Sequence, residues 1–314
     1  MILLDKEITE ELYDITILGG GVAGLAAAIT AGQLGLRVLV LEKTVLGGSV
    51  AVLEFLAEYP GIEKISGWEF TQNMVKQARD TGCKLIDSIE VTGVVETVDN
   101  LFEIKVSDAN ILSARSVIVC TGGQPLMLEV ADEAHFAQHG IHTCAQCAGA
   151  RYKGKTVAIA GNSSWAVRAA EHLLNLGCTV LYITRDTELS GDGTIINKLI
   201  NDDHFRFLSD YHITGLYGDE YLEEILVTSL TGGSFQKVQV AAVFVYRGIK
   251  PNSSIVPAHK DRRGFLQVDE KFMTSLPGLF ASGRVVDHDL PVQSIIDDGN
   301  KAAHTAAAWL QAKP

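Results

Sequence analysis

Cys144 and Cys147 frame the stretch His142-Thr-Cys-Ala-Gln-Cys147, a spacing at which two thiols close a small ring through one disulfide. Such a pair carries two electrons. One thiolate attacks a substrate disulfide, and the second thiol resolves the mixed disulfide. Neighbouring amides and positive charge lower the thiol pKa and raise the thiolate fraction. His142, two residues before Cys144, is the nearest titratable group and the candidate acid/base. The same spacing is also half of a zinc site, but structural zinc takes about four Cys or His ligands, usually from two close pairs. Cys83, Cys120 and Cys178 are isolated, and only His135, His139 and His142 lie near. No metal site is expected, and the lone cysteines read as small buried apolar residues.

Electrons carried by a dithiol need a source or a sink, and the elements that position one are visible upstream. Tyr13–Leu18 reads as a strand, 24–34 as a small-residue helix, and 37–41 as a second strand ending at Glu42. The turn between the first two is Gly19-Gly20-Gly21-Val22-Ala23-Gly24. In such a G-x-G-x-x-G turn Gly19 permits the tight bend, Gly21 lets a pyrophosphate approach the backbone, and Gly24 lets helix and strand pack closely. The helix N-terminus then binds phosphate, and Glu42 stands where a carboxylate accepts both hydroxyls of an adenosine ribose. Residues 117–123 and 277–287 are further apolar strands ending in Gly-Gly and Ser-Gly, and 292–310 closes the chain as a helix. Between them lies a second βαβ opening: strand 156–160, helix 164–176, strand 179–183. The simplest organisation is an α/β fold of two Rossmann-like dinucleotide-binding domains, the second inserted into the first: 1–123 with 249–314, and 124–248.

Composition narrows the function classes. With 314 residues, 47% hydrophobic and 20% charged, the chain builds ordinary globular cores. A formal net charge of −12 speaks against nucleic acid or an anionic membrane as partner. The opening stretch MILLDKEITEELYD is acidic and lacks the basic flank and apolar run of a signal peptide. An odd count of five cysteines is unlike a secreted disulfide framework. The expected setting is cytoplasmic.

Taken in order along the chain, GGGVAGLAAAI, GGS (47–49), YPG (59–61), CTGG (120–123), CAQC (144–147), GIKPNSS (248–254), LFASGRVVD (279–287) and VQSII (292–296) resemble the low-molecular-weight thioredoxin reductase family. The resemblance covers nearly the whole chain. It implies FAD in the split domain, a redox disulfide in the inserted one, a homodimer, and rotation of the inserted domain between two positions. It implies a thioredoxin-like protein or a small disulfide or dithiol as substrate. It carries cofactor contacts onto Gly48, Gly122, Gly283, Arg284 and Gln293, in addition to Gly19, Gly21, Gly24 and Glu42.

Three departures qualify the resemblance. Ala148 stands where the family has an acid that protonates the leaving thiolate, a service worth on the order of 10²–10⁴-fold; His142 is the nearest substitute. The family's second dinucleotide loop, G-x-G-x-x-A, reads here Gly161-x-Ser163-x-x-Ala166 with bulky Trp165 inside it, and the basic cluster for a 2′-phosphate is reduced to Arg185 followed at once by Asp186. A phosphate dianion beside Asp186 is unfavourable, so NADPH is disfavoured, whereas Asp186 leaves NADH open through its ribose diol. Finally, Arg284 replaces an acid that contacts the flavin's ribityl chain, and pairs instead with the pyrophosphate or a carboxylate. The reading is an FAD-dependent dithiol–disulfide oxidoreductase that resembles family members lacking a working NADPH motif. Reduced ferredoxin is a candidate donor, docking on Arg247, Lys250, Lys260, Arg262 and Arg263. Two alternatives stay open: a dithiol oxidase passing electrons to oxygen, and a flavin-binding redox sensor.

Overall fold

Two segments of the chain build one unit and the stretch between them builds the other. The computed structural model describes residues 6–56, 59–107 and 109–312. One unit contains the chain up to Gln124 and from Lys250 onward; the other is Pro125–Ile249. Each junction falls one residue beyond the one read from the sequence. The two crossings, β7 (Gly123–Pro125) and β16 (Ile249–Pro251), pair as a two-stranded sheet.

In the split unit, after the short α1 (Lys6–Thr9), strands β3 (Lys84–Ile86), β2 (Val38–Leu41), β1 (Leu12–Leu18) and β6 (Ile111–Val119) lie side by side and parallel. The long β6 divides its other edge. Its first half pairs antiparallel with β5 (Phe102–Val106), which pairs with β4 (Val91–Glu96), and its last residues pair parallel with β17 (Leu279–Ala281). Strands buried on both faces read as unbroken apolar runs, and β2 is buried at all four positions. One face packs α2 (Val22–Gln33), α4 (Gly67–Asp80) and α8 (Val292–Ala312); the other packs the β4–β5 arm and the chain around Val256, Ala258 and Leu266. Small residues let α8 lie directly on α2: a Cβ at Gly299 would come within 2.3 Å of the Ala23 carbonyl oxygen. Helix α4 starts on a cap legible in Ser66-Gly-Trp-Glu69, with Ser66 Oγ accepting the Glu69 N–H at 3.1 Å.

The second unit repeats the scheme. Strands β11 (Phe205–Leu208), β10 (Thr179–Ile183), β9 (Thr156–Gly161), β15 (Ala242–Tyr246) and β8 (Ile141–His142) form a parallel sheet in that order. On one face lie α5 (Ala145–Ala148), α6 (Ser164–Asn175) and α7 (Gly193–Ile200). On the other lies an antiparallel meander of β12 (Tyr211–Gly218), β13 (Leu222–Ser229) and β14 (Phe235–Gln239). This is an α/β fold with two domains of the dinucleotide-binding type. Among the described residues no helix is long and apolar enough to cross a membrane.

Candidate active site

Helix α2 follows β1 and α6 follows β9, each after a turn that holds a glycine in the left-handed region (Gly19, Gly161), and the two turns differ in what meets the first amides of the helix. At the head of α2 the N-cap is Gly21, with no side-chain cap and no acid in the first turn. Its N–H groups therefore face outward with no acceptor from the cap residue. Gly19 has φ +102°, and a Cβ there would strike the Cys120 carbonyl oxygen at 2.4 Å; a Cβ on Gly24 would lie 1.9 Å from the Gly19 oxygen. These two glycines are needed for the turn itself. Gly21 is different: its φ is −74°, and the nearest atom to an added Cβ is Gly48 Cα at 3.9 Å. Among the described residues nothing needs that position to be small, so a group from outside could approach the backbone there.

The other predicted dinucleotide contacts gather around this turn. Gly48 opens α3 (Gly48–Ala51) with φ +58°, facing Gly21. Glu42, 9% exposed, accepts the Gly20 N–H at 2.8 Å and both the N–H and hydroxyl of Thr44 at 2.9 and 3.0 Å. A carboxylate has about four acceptor sites; with three taken, Glu42 has room for about one ribose hydroxyl rather than two. Gly122, φ +62°, has open space at its Cβ position, and its loop is stitched to Asn252 by the Thr121 hydroxyl and the Asn252 amide at 2.7 and 2.9 Å. Gly283 packs against Ala23 and Ile295, at the heads of α2 and α8. The next residue, Arg284, has a buried Nε with no hydrogen-bond partner. Gln293 is exposed in the first turn of α8. An uncapped helix head and an open position beside Gly21 suit a diphosphate-bearing cofactor such as FAD, which would lie against Gly19, Gly21 and Gly48 with Glu42 at its adenosine end.

In the second unit Ser163 caps α6 with its own hydroxyl, which accepts the Ala166 N–H at 3.2 Å. Asn162 clasps the end of the next strand: its Nδ2 donates to Asp186 Oδ2 and to the Glu188 carbonyl, both at 2.9 Å, and its Oδ1 accepts the Ser190 N–H at 2.8 Å. Asp186 also accepts from the Thr184 hydroxyl at 3.2 Å. A cleft of about 300 Å³ remains beside these residues, lined also by Arg185, His212 and Arg247.

The same unit holds the disulfide Cys144–Cys147, with a Cα separation of 5.4 Å, inside the usual range of roughly 4.4–6.8 Å. Both cysteines are half-buried. Cys144 is the N-cap of α5, and its Sγ accepts the Cys147 N–H at 3.1 Å. The adjoining Ala145 N–H donates to the Tyr246 hydroxyl at 2.9 Å, and burial pushes that phenol's pKa up to about 12. Ala148 is buried at 6% exposure. Tyr246 and Asn162 are the site residues that motif reasoning missed. Their partners lie 101 and 24 residues away, and no local spacing marks them.

His142 does not fit the acid/base role suggested by its place before Cys144. It pairs in register with Phe244 on the neighbouring strand, is 4% exposed, and shares a 2.7 Å hydrogen bond between Nε2 and the Tyr152 hydroxyl. Burial, with the Arg151 charge second, lowers its pKa to about 4. At neutral pH it holds no imidazolium proton for a thiolate. The basic patch proposed for ferredoxin is largely committed elsewhere. Arg247 donates to the Met127 and Leu128 carbonyls, Lys260 to those of Val256 and Ala258, and Arg263 pairs with Asp261. Cys83, Cys120 and Cys178 are free and buried, and burial raises the Cys120 thiol to about 12. No group of three or more His, Cys, Asp or Glu side chains among the described residues could hold a metal.

Comparison with known proteins agrees with this geometry. The family model for pyridine nucleotide-disulphide oxidoreductases matches residues 13–312. The chain is 30% identical over 301 residues to the thioredoxin reductase of Treponema pallidum, covering 95% of this chain and 97% of that one. It superposes on the crystal structure of Lactococcus lactis thioredoxin reductase with TM-score 0.80 at 26% identity, covering 95% and 99% of the two chains. The T. acidophilum thioredoxin reductase gives TM-score 0.79 at 26% identity, with the same coverage. The chain therefore belongs to the pyridine nucleotide-disulphide oxidoreductase family, as an FAD-dependent disulfide oxidoreductase of the thioredoxin reductase kind.

Proposed function

We propose that this protein exchanges electrons between FAD in the split unit and a thioredoxin-like protein or small disulfide at Cys144–Cys147, and that it does not draw them from NADPH. One contrast carries the reading. The α2 amides have no side-chain cap, whereas Ser163 caps α6 from within. A pyrophosphate at α6 would have to displace the Ser163 hydroxyl and settle beside a clasp whose acceptor, Asp186, repels a 2′-phosphate. Asp186 is also committed to Asn162 and Thr184, which weakens its availability to the ribose diol of NADH. The site assignment is Gly19, Gly21, Gly24, Glu42, Gly48, Gly122, Gly283, Arg284 and Gln293 for FAD, and Cys144 and Cys147 for exchange.

When bound, FAD supplies or accepts the electron pair that converts the disulfide and two protons into two thiols. The protein's own residues govern the exchange. The Cys147 amide stabilises negative charge on Cys144 Sγ, and Tyr246 holds the amide that follows Cys144. Ala148 has no proton to give and the buried His142 is neutral, so in this reading solvent supplies the proton to the leaving thiolate. The deciding experiment is an anaerobic spectral titration of the flavin with NADPH, NADH, reduced ferredoxin and dithiothreitol in separate samples. Dithiothreitol bleaches the flavin through the cysteine pair, and micromolar NADPH leaves it oxidised. Rapid stoichiometric bleaching by NADPH overturns the reading. Bleaching by reduced ferredoxin identifies the donor. Dithiol reduction followed by reoxidation with oxygen, with no other donor working, makes the protein an oxidase.

A further inference from the structure

Tyr246 closes β15 and reaches the cysteine pair without belonging to its motif. Its backbone pairs with Gly161 on β9, and the Gly161 turn lies so close that a Cβ there would come within 2.1 Å of the Tyr246 carbonyl oxygen. From that anchored backbone the ring packs on the core shared by β9, β15, α5 and α6, and the hydroxyl accepts the Ala145 N–H at 2.9 Å. Ala145 is 1% exposed, so water has little access to that amide, and a buried N–H left without an acceptor is costly. The peptide that carries it joins Cys144 to Ala145, and its orientation is the ψ of Cys144. Cys144 is the extended N-cap of α5, with φ −143° and ψ 106°, and that conformation sets its Sγ against the Cys147 N–H at 3.1 Å. In the disulfide the S–S bond holds the two cysteines together with or without Tyr246. After reduction only hydrogen bonds keep Cys144 Sγ at the Cys147 amide, where a thiolate gains a charge-assisted contact. The hydroxyl therefore acts mainly on the reduced form. Burial keeps it neutral, with its pKa pushed up to about 12, so it adds no negative charge beside the thiolate.

We propose that Tyr246 is a positioning residue for the redox pair: by fixing the peptide that follows Cys144, it holds the reduced Cys144 sulfur at the Cys147 amide and makes the disulfide easier to reduce. The inference rests on the reading that Cys144 and Cys147 carry the exchange. Stabilising the reduced form of a dithiol–disulfide couple raises its potential. Against dithiothreitol the balance is simple. The Cys144–Cys147 S–S bond breaks, the S–S bond of oxidised dithiothreitol forms, and two electrons pass to the cysteines. The two dithiothreitol protons go to the cysteines, or one goes to solvent where Cys144 remains a thiolate.

The test measures the redox midpoint of the pair in the full chain for wild type, Tyr246→Phe and Tyr182→Phe. Each protein is equilibrated without oxygen in set ratios of reduced to oxidised dithiothreitol, quenched with acid, and mass-tagged at Cys144 and Cys147. The pH is 9, where a cysteine of ordinary pKa, about 8.5, is mostly thiolate. Phe at 246 keeps the ring in the core and removes only the acceptor. Tyr182 lies in the same core and donates to Asn162 Oδ1 at 3.4 Å, so its change to Phe controls for general loosening. Tyr246→Phe moves the midpoint about tenfold towards the disulfide, or about 30 mV more negative for two electrons, and Tyr182→Phe leaves it in place. An unchanged midpoint in folded Tyr246→Phe, a shift towards the dithiol, or an equal shift in Tyr182→Phe overturns the inference. If Tyr246→Phe does not fold, hydrogen exchange at the Ala145 amide of reduced wild type decides: protection supports the contact, and exchange at the rate of an open amide overturns it. The tagging does not depend on the flavin. A pair that titrates as stated while dithiothreitol bleaches the flavin equally well without it sinks the parent reading and leaves the role of Tyr246 standing.

Discussion

Replacing His142 with Gln isolates the energetic consequence of holding an imidazole neutral inside the second unit. In the folded chain its pKa falls from 6.5 to about 4, so between those values the unfolded chain binds a proton that the folded chain refuses. Stability therefore rises with pH across that window. The contribution is fully present above about pH 6.5 and is lost as pH falls towards 4. A tenfold difference in proton affinity is worth about 1.4 kcal/mol. At pH 5 the unfolded His is about 1.5 decades below its own pKa while the folded one is still neutral, so the loss is roughly 2 kcal/mol relative to pH 7.5. Gln keeps a hydrogen-bonding group for the Tyr152 hydroxyl but does not titrate. Urea unfolding of both proteins at pH 7.5 and 5.0 gives the double difference, which cancels the other histidines and carboxylates common to both. Wild type should lose roughly 2 kcal/mol more than His142→Gln on going to pH 5. Equal losses would mean that His142 charges freely in the folded state, restoring it as an acid beside Cys144 and refuting the burial argument.

Two glycines of one motif separate folding from binding. Gly24→Val drives a Cβ to within 1.9 Å of the Gly19 carbonyl and should destabilise the chain by about 1–3 kcal/mol or more, read as a lower melting temperature. Gly21→Val meets only Gly48 Cα at 3.9 Å, so it should fold normally yet purify colourless, as measured by the ratio of flavin to protein absorbance. Changing both Cys144 and Cys147 to Ser should slow bleaching by dithiothreitol at least tenfold in stopped-flow traces; equal rates would remove the pair from the electron path. Ser163→Gly frees the α6 amides at a cost of a few tenths of a kcal/mol. It should still show no bleaching by micromolar NADPH, because the Asn162–Asp186 clasp is untouched.

Legibility followed burial and sequence distance. Strands β2, β9 and β10 are mostly apolar runs that are largely buried, and β1 shows itself by alternating Tyr13, Ile15 and Ile17 with Asp14 and Thr16. The meander β12–β14 is not legible in the sequence, because register shifts between Ile213 and Gly215 and between Tyr217 and Gly218 break its alternation. Helix α4 carries a local start signal, Ser66 capping the Glu69 N–H, but no motif that bears chemistry. Within the site, the cysteine pair and the glycine turn are local signals and were readable. The neutrality of His142 was not, because it depends on Tyr152 and Phe244 closing over one edge strand.

The two βαβ openings of this chain satisfy their turn amides differently within one fold. In the second unit Gly161 retains φ +133°, and a Cβ there would strike the Tyr246 oxygen at 2.1 Å; the strand-to-helix turn still demands a glycine. Ser163 satisfies one amide that a phosphate would otherwise take, and Asn162 satisfies Asp186. Both hydrogen bonds come from within the chain, to groups that a helix N-terminus and a strand end otherwise leave to solvent or ligand. The helix is therefore stable without a ligand, and a ligand gains less by arriving. In the first unit Gly21 offers α2 no side-chain cap, and Arg284 Nε is buried with no hydrogen-bond partner. A site built for a ligand tolerates unsatisfied groups in its absence, and a site that has lost its ligand is free to satisfy them internally. By that criterion the proposed reading puts FAD in the split unit and leaves the exchange of electrons in the inserted unit to Cys144 and Cys147.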